Sequence, residues 1–60
     1  MFREYVIMEG MTRDCQPMSV FEVPVKNGDY WAAYSKAKSC LKMSGEFLLD
    51  WRIETRKEDF

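Results

Sequence analysis

Tyr30, Ala33, Tyr34, Ala37 and Leu41 recur at i, i+3, i+4, i+7 and i+11, the spacing of one apolar stripe on a helix. No other segment of the chain carries that period convincingly, so the stretch from Asn27 to Met43 is the element around which everything else must pack. Its ends are marked as well. Asn27-Gly28 reads as a turn and Asp29 as an N-cap, Ser44-Gly45 is a suitable stop, and Lys36, Lys38 and Lys42 lean toward the negative end of the helix dipole.

The flanking segments carry the two-residue period of strands. In Arg3 to Met8 both alternating sets hold apolar residues, Tyr5 and Ile7 on one and Val6 and Met8 on the other, which places this strand in the middle of a sheet. Thr12 to Pro17 is polar and reads as a mobile loop rather than a two-residue turn. Met18 to Lys26 is a second strand, with Phe21, Val23 and Val25 directed at the helix, and Pro24 pushes it to an edge because proline has no N–H for the ladder. Glu46 to Arg56 alternates Phe47, Leu49, Trp51, Ile53 and Thr55 against Glu46, Leu48, Asp50, Arg52, Glu54 and Arg56, which predicts a core face and a mostly wet face. Lys57 to Phe60 lacks periodicity and is expected to fray.

The order is therefore β-β-α-β. A helix running back along the sheet brings the third strand in parallel to the second and antiparallel to the first. The expected fold is α+β, a three-stranded antiparallel sheet in the order 2-1-3 with one helix packed on one face. Sixty residues make a single small domain, and 47% hydrophobic content with nine aromatics is enough for a real core.

Charge and residue inventory narrow the function classes. Nine basic and ten acidic residues are scattered and give a net charge of −1, which offers little attraction to phosphate backbones or anionic lipid. There is no apolar run of membrane-spanning length and no signal-peptide pattern at the N-terminus, so the expected location is the cytoplasm. In that reducing compartment Cys15 and Cys40 are expected as free thiols. With no histidine and two cysteines the usual ligands of a zinc site are missing, and neither metal nor other cofactor is expected. No carboxylate pair, glycine-rich phosphate loop or Ser/Cys-His arrangement suggests catalysis.

One residue departs from the helical pattern. Trp31 lies about a quarter-turn off the stripe, on the flank shared by Ser35, Lys38 and Lys42. An indole beside the core rather than in it serves equally as a lid over the sheet edge or as an anchor for a partner. Trp51 and Phe47, on the apolar face of the third strand, are expected in the core. The candidate partner-binding set is thus Trp31, Ser35, Lys38 and Lys42, and the chain is expected to be monomeric when free.

Tyr5-Val6-Ile7-Met8 with Gly10, the polar loop, the strand ending at Lys26, and Trp31-Ala32 opening the helix together resemble the Dmd antitoxin family of T-even-like bacteriophages, whose members have a similar length. The likeness fades from Ala37 onward, and Cys40 stands where the family has a polar residue. The resemblance implies a phage protein that blocks a host toxin endoribonuclease of the RnlA/LsoA type by direct binding, protecting phage mRNA without being an enzyme. Trp31 is the contact residue it carries over; Ser35, Lys38 and Lys42 come from helix geometry alone. Two other readings stay open. Phe21-Glu22-Val23-Pro24 is similar to a segment of small phage inhibitors of bacterial RNA polymerase, and Tyr5, Trp31 and Trp51 are aromatic platforms of the kind that single-stranded nucleic-acid binders use.

Overall fold

Backbone positions with positive φ mark where the elements stop. Asn27 (φ 54°) and Gly28 (φ 71°) are consecutive left-handed residues that reverse the chain, closed by a hydrogen bond from the Asp29 N–H to the Lys26 carbonyl at 3.0 Å. Gly45 (φ 71°) sits just past the helix, where the Gly45 and Glu46 N–H groups bond to the Lys42 and Leu41 carbonyls at 3.1 and 3.2 Å and use up acceptors that the last turn leaves open. In a computed structural model describing residues 1–58, these signals delimit β1 (Phe2–Met11), β2 (Pro17–Pro24), α1 (Tyr30–Met43) and β3 (Phe47–Lys57). Asp29 caps α1 as expected, its carboxylate accepting from the Ala32 N–H at 3.0 Å.

The fold is the expected α+β arrangement, a three-stranded antiparallel sheet in the order β2-β1-β3 with one helix. Val6 pairs with Val23 and Ile53, and Met8 with Phe21 and Trp51, so these six residues share the face that carries the helix. Ala33, Ala37 and Leu41 descend onto Val6, Met8 and Val23, all of them buried, with Phe21, Val25, Tyr34 and Leu48 packed around. The two alanines hold the helix close to the strands. At Gly10 the approach is closer still: a Cβ there would stand 2.7 Å from Leu41 Cδ1 and 2.4 Å from Glu46 Oε1, the carboxylate oxygen that accepts the Ser19 N–H. A side chain at this position would have to displace the ends of the Leu41 and Glu46 side chains.

On the opposite face no helix covers the sheet, yet Ile7 is only 1% exposed. Its cross-strand neighbours are Glu22 and Arg52, and the charged residues around them are paired with one another. Arg52 reaches Glu9 at 3.4 Å and Glu54 at 3.6 Å; Arg56 reaches Glu22 and Glu54, each at 2.7 Å, and lies 4.7 Å over the Tyr5 ring. The aliphatic stems of these long side chains close over the central strand while their charged ends stay wet.

Three expectations need correction. β1 extends beyond the Arg3 to Met8 span at both ends, because it pairs with β3 from Phe2 to Met11, whereas β2 begins one residue before Met18 and ends at Pro24, two residues short of Lys26. The alternation of β3 is not strict: between Glu9 and Gly10 the register shifts, Leu48 rather than Leu49 comes opposite Gly10, and Leu48 packs on the core. Lys57 and Glu58 do not fray, since Lys57 ends β3 and the Glu58 N–H bonds the Met1 carbonyl at 2.8 Å while its carboxylate accepts from the Tyr5 hydroxyl. The part of that expectation falling on Asp59 and Phe60 lies outside the described residues.

Candidate partner-binding cleft between the helix and the third strand

A helix is about 10 Å wide and three strands span about 14 Å, so one helix cannot roof a three-stranded sheet. Here α1 packs on β1 and β2 and barely touches β3. The consequence falls on residues expected in the core: Trp51 is 44% exposed and Ile53 43%, although their register places them on the helix side; Phe47 is 49% exposed for another reason, since the register shift sets it opposite Met11 on the other face. Trp51 and Phe47 are therefore surface residues. The apolar pattern of β3 predicted the correct face from Trp51 to Thr55 but not for Phe47 to Leu49, beyond the register shift, and not the missing roof.

Between α1 and β3 this leaves a cleft of about 350 Å³ lined by Val6, Tyr30, Trp31, Tyr34, Trp51 and Ile53. Its wall is an aromatic ladder. Trp31 stacks on Tyr34 with ring centroids 5.8 Å apart and planes 20° apart, and Tyr34 meets Trp51 edge-on at 5.0 Å and 70°. Trp31 is nevertheless 75% exposed, because its indole rests on Tyr34 with one face and offers the other to solvent. At the mouth, the Tyr30 hydroxyl donates to Glu4 Oε1 at 2.6 Å, which fixes the ring and holds the phenol above its usual range, chiefly through that bond to a carboxylate.

A second cleft of about 410 Å³ continues along the same seam toward the end of α1, with Lys38, Lys42, Leu41, Phe47 and Leu48 among its walls. Of the four residues singled out from helix geometry, Trp31 belongs to the first cleft and Lys38 and Lys42 to the second, both lysines exposed. Ser35 is half-buried and lines neither. Tyr34, Trp51 and Ile53 complete the site; the sequence pattern places Tyr34 and Ile53 only in the core, and Trp51 in the core with a stacking platform as the other reading. Their signal in the sequence was the count of elements, a single helix for three strands.

Other candidate chemistry takes structural roles. Phe21 and Val23 face the core and Glu22 holds Arg56, an interaction that lowers the Glu22 carboxyl below its ordinary range, so the Phe-Glu-Val-Pro segment is accounted for by the fold. Tyr5 stacks under Arg56, and its phenol is raised above the usual value mainly by the hydrogen bond to Glu58. Cys15 and Cys40 are free thiols. Among the described residues no group of three or more Cys, Asp or Glu is placed to hold a metal, and no helix is long and apolar enough to cross a membrane. Comparison with known proteins returned no matching family model, no similar curated protein and no similar solved structure.

Proposed function

We propose that this chain is a phage antitoxin acting in the cytoplasm of the infected cell, a binding protein rather than a catalyst. In this reading it inhibits a bacterial toxin endoribonuclease of the RnlA/LsoA type by direct contact and so protects phage mRNA. The observation that carries a binding role is the aromatic cleft between α1 and β3, with Trp31 three-quarters exposed at its rim. Contiguous exposed apolar surface of this kind is a cost to an isolated small domain and marks an interaction site. The choice of partner rests on the resemblance through Tyr5 to Met8, Gly10 and Trp31-Ala32.

The size of the protein suits a stoichiometric blocker. A standard interface hides about 800 Å² on each side, about a sixth of the 4557 Å² exposed here, so one flank must be committed to the partner. The seam from Trp31 to Lys42 is such a flank: the indole enters a pocket of the toxin, and Lys38 and Lys42 meet carboxylates at its edge. The test is co-precipitation of the purified chain with RnlA-type and LsoA-type toxins, together with inhibition of their RNA cleavage at equimolar ratio. Failure to bind either toxin refutes the reading.

A further inference from the structure

β3 is an outer strand, and over Phe47–Lys57 its far edge has no neighbour among the described residues. In an antiparallel ladder, alternate residues turn their N–H and C=O groups to opposite sides. The Val25 N–H meets the Glu4 carbonyl on the β2 side at 2.9 Å, and the Glu58 N–H meets the Met1 carbonyl on the β3 side at 2.8 Å. Even-numbered residues of β1 therefore bond β2, odd-numbered ones bond the even-numbered residues of β3, and Trp51, Ile53 and Thr55 turn their backbone groups outward. The Trp51 N–H, taken up by Asp50 Oδ1 at 2.8 Å instead of a carbonyl of β1, agrees. The other edge is blunted: β2 starts and ends in proline, and Pro24 has no N–H.

We propose that the β3 edge pairs with the same edge of a second copy, antiparallel about a two-fold axis through Ile53. The charge pattern of the strand is antisymmetric about that residue: Asp50 and Arg52 on one side, Glu54 and Arg56 on the other. In this register Ile53 faces Ile53, Trp51 faces Thr55, Arg52 faces Glu54 and Asp50 faces Arg56. Each charged position from Asp50 to Arg56 meets its opposite, four pairs in all by symmetry, Lys57 faces Leu49, and the outward backbone groups face one another.

Neighbouring registers fail for stated reasons. An axis at Arg52 opposes Arg52 to itself and Asp50 to Glu54, whereas an axis at Glu54 opposes Glu54 to itself and Arg52 to Arg56. An axis between residues sets the charged face of one copy against the apolar face of the other. Moving the axis to Thr55 carries Trp51 past the end of the strand, and moving it to Trp51 centres the pairing next to the register shift at Gly10 and Leu48, where the ladder is irregular.

The result is a six-stranded sheet in which this pairing replaces the expected free monomer. The two helices stand about 19 Å apart, four strand spacings, across a trough floored by Trp51 and Ile53 of both copies. That trough is wide enough for one helix of a partner. The inference does not depend on the toxin reading, since it concerns the chain alone.

The test is native mass spectrometry and sedimentation of the whole chain across concentration. Two variants accompany the wild type: Asp50→Lys, and a synthetic chain with an N-methyl group on the Ile53 amide. Asp50 makes no ion pair within the chain among the described residues, and its replacement removes only the bond it accepts from the adjacent Trp51 N–H; the Ile53 amide points away from β1, and circular dichroism checks that each variant keeps the fold of the single copy. The expected result is a wild-type dimer whose dissociation constant rises about tenfold or more in Asp50→Lys, and a folded monomer by circular dichroism for the N-methyl chain. A wild-type chain that stays monomeric up to about 1 mM, or a dimer that Asp50→Lys leaves unweakened, overturns the proposal.

Discussion

Replacing Trp31 by alanine separates a binding role from a structural one, because the two draw on different parts of the same side chain. A buried tryptophan accounts for up to about 250 Å², of which three-quarters is open here, so about 180 Å² awaits a partner and about 60 Å² is spent on the fold. At about 25 cal/mol per Å² the open part is worth about 4.5 kcal/mol when fully covered, and truncation to alanine removes at least about 2 kcal/mol of binding once the residual contact is subtracted. The covered part is worth about 1.5 kcal/mol; the lost stack on Tyr34 adds to it and the better helix propensity of alanine offsets some of it. Trp31→Ala should therefore lower the unfolding free energy, measured in urea, by about 1 to 2 kcal/mol. Its affinity for the toxin, measured by calorimetry, should fall at least about thirtyfold. A stability loss above about 3 kcal/mol, with affinity unchanged after correction for the folded fraction, refutes the reasoning and makes Trp31 a part of the core.

Further outcomes follow from particular contacts. Gly10→Ala should destabilise by about 1 to 3 kcal/mol in the same urea assay, because the new Cβ displaces the Leu41 side chain and the Glu46 carboxylate that accepts from Ser19. The Glu22 carboxyl, lowered chiefly by the hydrogen bond from Arg56, should titrate by NMR below its ordinary 4.5 and return toward it in Arg56→Gln; its contribution to stability is present above 4.5 and is lost as pH falls through the lowered value. Tyr5 and Tyr30 have the opposite sign, each raised above 10.0 mainly by a carboxylate acceptor, so what they contribute is complete below pH 10 and fades as the pH rises through the raised values, which absorbance titration near 295 nm follows. Both cysteines should label with a maleimide without prior reduction, exposed Cys15 ahead of half-buried Cys40.

Much of the architecture is legible in residue order because it depends on local chemistry. Asp29, Gly45 and the Tyr30 to Leu41 stripe specify α1 through capping, a left-handed stop and a 3.6-residue period. Pro24 and the doubly apolar Tyr5 to Met8 place β2 at an edge and β1 in the centre, since each concerns what a single strand can hydrogen-bond or bury. The exposure of Trp51 and Ile53, the shift that turns Leu48 to the core, and the role of Gly10 are different in kind. Each depends on where α1 lies across the sheet, and periodicity reports the direction a side chain points without reporting whether anything stands above it. Residue order was enough for the elements, their sequence along the chain and the apolar face of all but the start of β3; the position of α1 over β1 and β2 set which strand is left bare, because a helix lying there does not reach across β3.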